Sequence, residues 1–170
     1  SRAFQNHPSP NLYGDLYCLI RDDNQDLDFF LGITHVQLHR RARALQRLRK
    51  SVNDSIEPDS ECSFTPQSLS NILLPLAMHP IYECKPKVEE SFALEAMATV
   101  GAISRLLSWS KYNSTLWTAL NQFDRHPDQE RYLIGMMCAI IDGFHFDVDI
   151  SSAKGDTNEA DIGRGEDSEG

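Results

Sequence analysis

The stretch FFLGITHVQLHRRARALQRLRK, Phe29 to Lys50, decides how this chain is read. Leu38, Ala42, Leu45, Leu48 and Val52 recur at the three- and four-residue spacing of a helix with one buried side. The same run carries Arg40, Arg41, Arg43, Arg47, Arg49 and Lys50, and no acid between His35 and Lys50. The chain as a whole has a formal charge of −9. A dense cationic strip in an acidic chain is a local choice, so the helix offers one face to pack and another to present to a partner.

Working outward, the polar run RDDNQDLD (21–28) reads as a helix-start signal, with Asp26 or Asp28 suited to cap. The helix is expected to run to about Val52, with a break near Gly32. LYGDLYCLI (12–20) is apolar and short; it reads as a short helix or a docking segment. Residues 51–65 are a Ser-, Asp- and Pro-rich loop. Thr65-Pro66 predicts a helix start with a hydroxyl cap and a first-turn proline. Pro75 is expected to kink that helix and Pro80 to end it. Pro86 opens the next helix, which runs through Phe92, Ala96, Val100 and Ile103 to about Ser108. Trp109 is placed in the connection. An amphipathic helix over 110–124 follows, through Tyr112, Leu116, Trp117, Leu120 and Phe123. Pro127 then starts a helix through Leu133, Met136, Ile140 and Phe144.

No strand pattern competes with this. Helix starts near 66 and 111, and near 87 and 128, recur with a period of about 40–45 residues, the range of HEAT and armadillo repeats. The expected fold is therefore all-α: a HEAT/armadillo-like helical repeat, or α-solenoid, segment. A compact helical bundle is the rival. Three regions are expected: an extended lead-in over 1–27 holding the short helix, a helical repeat segment over 28–146, and a disordered acidic tail or linker over 147–170. That tail holds eight acids against Lys154 and Arg164, leaving 17 acids and 14 bases in residues 1–146.

Composition narrows the function. No apolar run approaches the roughly 20 residues of a membrane span, so no membrane partner is expected. The N-terminus SRAFQNHPSP has neither an initiator Met nor a hydrophobic leader and reads as the start of a fragment. Cys18, Cys62, Cys84 and Cys138 lack metal-ligand spacing and are expected as free thiols, with Cys138 in the core. His35 and His39 would share a helix face, but no third ligand lies nearby and the adjacent cations would repel a metal ion. There is no nucleophile elbow and no phosphate loop: IGRG (162–165) lacks the Gly-Lys-Ser/Thr ending. No catalysis, cofactor, metal or small-molecule substrate is expected.

The strip remains. Its bland reading is a solvated face whose arginines pair with neighbouring acids. Its functional reading is contact with a phosphate backbone or an acidic protein surface, since the planar guanidinium grips phosphate or carboxylate through two hydrogen bonds. The candidate contact residues are Arg40, Arg41, Arg43, Arg47 and Lys50. Interleaved aromatics for base stacking are lacking, so duplex phosphates fit better than single strands. The acidic tail is a solubilising linker, or a cover for the strip when no partner is bound.

Asp28, Phe29 and Phe30, followed by ITHVQLHRRARALQRL (33–48), resemble a segment of the down-regulated-in-metastasis family. The match holds at His35, Gln37, Leu38, His39, Arg40, Arg41, Ala42, Arg43, Ala44 and Leu45, with Val36 in place of Ile. ILLPLAMH (72–79), LLSWSKY (106–112, Ser110 standing where the family has Lys) and FHFD (144–147) resemble further family pieces in the same order. These are very large HEAT-repeat proteins of the small-subunit processome, associated with the U-three small nucleolar RNA. The resemblance implies a nucleolar, non-catalytic scaffold for pre-rRNA cleavage and 18S rRNA maturation. It implies processome proteins as partners, and structured pre-rRNA or small nucleolar RNA. The alternative is a helical-repeat adaptor that docks acidic peptides and has no nucleic-acid role.

Overall fold

The structure, a computed structural model, describes residues 13–60, 62–83, 85 and 88–144. The acidic tail, the Pro86 start, Cys84 and the greater part of FHFD lie outside the described residues. Among the described residues there is no strand, and no helix is long and apolar enough to cross a membrane.

The first described element is a 3-10 turn, Gly14–Leu19, that sinks Leu16 and Leu19 into the core. Asp28 then caps α1 (Phe29–Ile33), accepting the Leu31 N–H at 2.8 Å. The break falls at Thr34 to Gln37, just past Gly32, and α2 (Leu38–Asp54) follows. Gly32 itself is a contact glycine. A Cβ there would meet the Ala44 Cβ at 2.9 Å, so its absence lets α1 lie on α2.

Thr65 caps α3 (Pro66–Ser68), its hydroxyl accepting the Ser68 N–H at 3.2 Å. A π turn, Leu69–Leu73, leads into α4 (Leu74–Glu83). The widened turn immediately precedes Pro75, where a ring that crowds the preceding turn is eased by extra room. Pro80 does not end the helix as expected; α4 continues to Glu83 with Pro80 inside it. Ile81 is fully buried one residue later, and that apolar contact outweighs one lost backbone bond.

Helix α5 (Glu90–Ser104) is the centre of the assembly, packed against α2, α4 and α7. Phe92, Ala93, Ala96, Val100 and Ile103 are all buried. Thr99 is also buried: its hydroxyl donates to Glu95 O at 2.8 Å and across to Leu45 O of α2 at 3.3 Å. Helix α6 (Trp109–Leu120) starts on Trp109 itself rather than after it. Its buried side is Tyr112, Thr115 and Ala119, while Trp117 and Leu120 face outward, contrary to the expected stripe. A 3-10 turn, Pro127–Gln129, enters α7 (Glu130–Gly143).

Helices α5 and α7 meet backbone to backbone. A Cβ on Gly143 would run into the Gly101 carbonyl, and one on Gly101 would sit 2.9 Å from Ala139 O. Starts at Pro66 and Trp109, and at Glu90 and Glu130, keep offsets of about 40 residues. The α2–α5–α7 layer, with α4 and α6 joined to it, is the stacked helix-pair pattern of an α-solenoid.

Two cysteine expectations are overturned. Cys18 and Cys62 form a disulfide, Cα to Cα 5.7 Å, because the docked 3-10 turn and the loop before α3 converge. Asp15 reinforces that junction, accepting from Thr65 N and Ser68 Oγ, each at 2.7 Å. Cys138 is free and exposed, on the side of α7 opposite Leu133, Met136 and Ile140.

Candidate nucleic-acid interface

The helical period divides the cationic strip in two. Arg40, Arg43, Arg47 and Lys50 follow one another at three, four and three residues and share one side of α2. Arg41 and Arg49 fall on the side that meets α5. The Arg41 guanidinium lies 4.5 Å from the centroid of the buried Phe92 ring. Arg49 Nε donates to Glu95 Oε1 at 2.8 Å, and Gln46 donates to the other Glu95 oxygen at 3.2 Å. Glu95 is only 14% exposed. These two arginines therefore fasten α2 to α5.

The outward set is different. Arg43 and Lys50 are exposed, and neither has an ion-pair or hydrogen-bond partner among the described residues. Arg40 and Arg47 converge on one residue. Arg40 Nη1 donates to Asp26 Oδ1 at 2.8 Å, and Arg47 Nη1 donates to the Asp26 main-chain carbonyl. Arg40, Arg43 and Arg47 line a groove of about 560 Å³ whose other wall is Gln25, Asp26, Gly32, Thr34, His35 and Val36. A second groove of about 460 Å³ holds Arg47 and Lys50 with Arg21, and is bounded by the Cys18–Cys62 bridge.

Sequence reasoning did not find Asp26 as a member of this face. Its only signal was polarity, which marked it as a helix cap; Asp28 takes that role instead. His35 and His39 do not share a helix face. His35 sits in the break before α2 and accepts the Gln37 N–H on Nδ1 at 3.0 Å, whereas His39 lies in the first turn of α2. Among the described residues, no three His, Cys, Asp or Glu side chains gather as metal ligands.

Fold and face together define a class: a helical-repeat segment that carries a cationic, grooved side on one of its helices. Over 125 residues, 74% of its length, the chain is 22% identical to the U3 small nucleolar RNA-associated protein 20 of Saccharomyces cerevisiae. Over 127 residues, 75% of its length, it is 22% identical to the protein of the same name in Schizosaccharomyces pombe. In each case the chain spans only 5% of the relative's length. No family model matches the chain.

Proposed function

We propose that this chain is a non-enzymatic scaffold segment of a small-subunit processome component of the down-regulated-in-metastasis type. It works in the nucleolus, where it bridges proteins and pre-ribosomal RNA during maturation of 18S rRNA. Arg40, Arg43, Arg47 and Lys50 meet the RNA backbone, and Arg41 holds the helix that presents them. The observation that carries this is the outward face of α2, with Arg43 and Lys50 left without partners among the described residues. The similarity to two U3 small nucleolar RNA-associated proteins and the ordered motif resemblance support the biological setting.

Ten residues of α2 separate Arg40 from Lys50, about 15 Å along the helix. Four cations over that length suit a row of phosphates, and among the described residues no Phe, Tyr or Trp lines the Arg40–Arg43–Arg47 groove to stack single-stranded bases. Substituting Arg43→Glu and Lys50→Glu should weaken binding of a short RNA duplex at low salt at least tenfold. Unchanged affinity rejects the reading.

One observation favours an acidic-peptide adaptor as the second reading: the Asp26 carboxylate already sits against Arg40, so the face accepts a carboxylate. Crosslinking of Lys50 to RNA or to protein separates the two.

A further inference from the structure

We infer that Asp26 is a built-in competitor for the arginine groove, and that a duplex RNA phosphate must displace its carboxylate to bind fully. The inference rests on the RNA-face reading above. The loop carrying Asp26 is shaped locally. Asp26 N donates to Asn24 Oδ1 at 3.0 Å and Leu27 N donates to Asn24 O at 2.9 Å, while Asp28 accepts from Arg21 N at 3.3 Å and caps α1. This loop turns the Asp26 side chain toward α2, where its carboxylate takes the place a phosphate oxygen would take on Arg40. Its carbonyl occupies one nitrogen of Arg47 but leaves the other donors of that guanidinium available. Arg43, on the same groove wall, has no such partner among the described residues.

The competitor is weak by construction. Arg40 is 43% and Asp26 64% exposed, so water already screens the pair. One backbone phosphodiester carries the same single charge as a carboxylate, so a duplex wins the exchange by bringing a row of phosphates to Arg40, Arg43, Arg47 and Lys50 together and releasing its counterions. A weaker anion, a single carboxylate or a bound chloride, does not. Asp26 thereby raises the threshold for binding and favours densely charged partners over dilute ones.

Asp26→Asn and Asp26→Ser remove the charge from an exposed side chain and leave the core untouched. With a short blunt RNA duplex as probe, each should tighten binding about two- to fivefold, the range of an exposed ion pair. Arg43→Glu/Lys50→Glu is measured beside them, and polyglutamate serves as a second probe. If both Asp26 variants match the parent in affinity while the charge-reversed chain binds worse, the Asp26 inference falls and the RNA face stands. If the charge-reversed chain binds the duplex as tightly as the parent, the RNA face falls and the inference with it. If only polyglutamate binding tightens, the displacing group is a carboxylate and the phosphate assignment is overturned.

Discussion

Replacing Arg41 and Arg49 by Ala should cost stability and spare RNA binding, while replacing Arg43 and Lys50 by Ala should do the reverse. The first pair is fastened to α5. Arg41 lies over Phe92 at 4.5 Å, and Phe92 is 2% exposed. A cation over a buried ring contributes about 0.5–2 kcal/mol, and loss of the side-chain stem adds to that. Removing Arg49 leaves Glu95 mostly buried with only Gln46 beside it, at a cost of about 1–2 kcal/mol for a charge-assisted hydrogen bond. Together the two substitutions should cost about 2–3 kcal/mol, which for a chain of this size lowers Tm by about 4–12 °C. Arg43 and Lys50 touch no partner among the described residues, so their removal should change stability by less than about 0.5 kcal/mol each. Thermal melts followed by far-ultraviolet circular dichroism measure the first effect, and duplex RNA titration measures the second. If the Arg41/Arg49 variant keeps its Tm within about 1 °C and loses RNA binding like the Arg43/Lys50 variant, the strip acts as one surface and the division argued from the helix period is wrong.

Three other perturbations probe the fold. Gly143→Ala drives a methyl group into the Gly101 carbonyl of α5, where backbone cannot yield, and should lower stability by about 1–3 kcal/mol in urea titration; full retention refutes the close approach. Tyr82 has a buried hydroxyl without a hydrogen-bond partner among the described residues, and burial pushes its pKa up to about 12. The fold favours the neutral phenol, so its contribution is complete below pH 10 and is lost as pH rises from 10 toward about 12. After allowing for partial exposure the loss is on the order of 1 kcal/mol. Tyr82→Phe should abolish it without lowering stability at neutral pH, and an unchanged alkaline melting profile contradicts the assignment. Reducing the Cys18–Cys62 bridge, which closes a separation of 44 residues, should cost about 2–4 kcal/mol. A thiol assay should find two fewer reactive sulfurs before reduction than after; equal counts refute the pairing.

Much of the helical framework is written locally. Asp28 and Thr65 carry side chains that reach their own first turns, and Pro127 sits where a first-turn proline costs nothing, so these starts are legible from neighbours in sequence. The errors arise where a distant element decides. Pro80 stays inside α4 because Ile81 is buried against the core. Trp117 and Cys138 turn outward because Tyr112 and Ala119, and Leu133 and Met136, hold the inner sides of α6 and α7. Their hydrophobicity is the same either way.

The sequence by itself determined an all-α chain of paired helices and a cationic strip, free of acids from His35 to Lys50, on one of them. Both follow from short-range physics: apolar spacing, capping and charge. Only the tertiary structure decided which arginines are available. Arg41 and Arg49 face α5, Arg40 and Arg47 share Asp26, and Arg43 and Lys50 have no ion-pair or hydrogen-bond partner among the described residues. The residues that settle this, Phe92, Glu95 and Asp26, lie outside α2, and local sequence carries no record of which distant side chains a helix will meet.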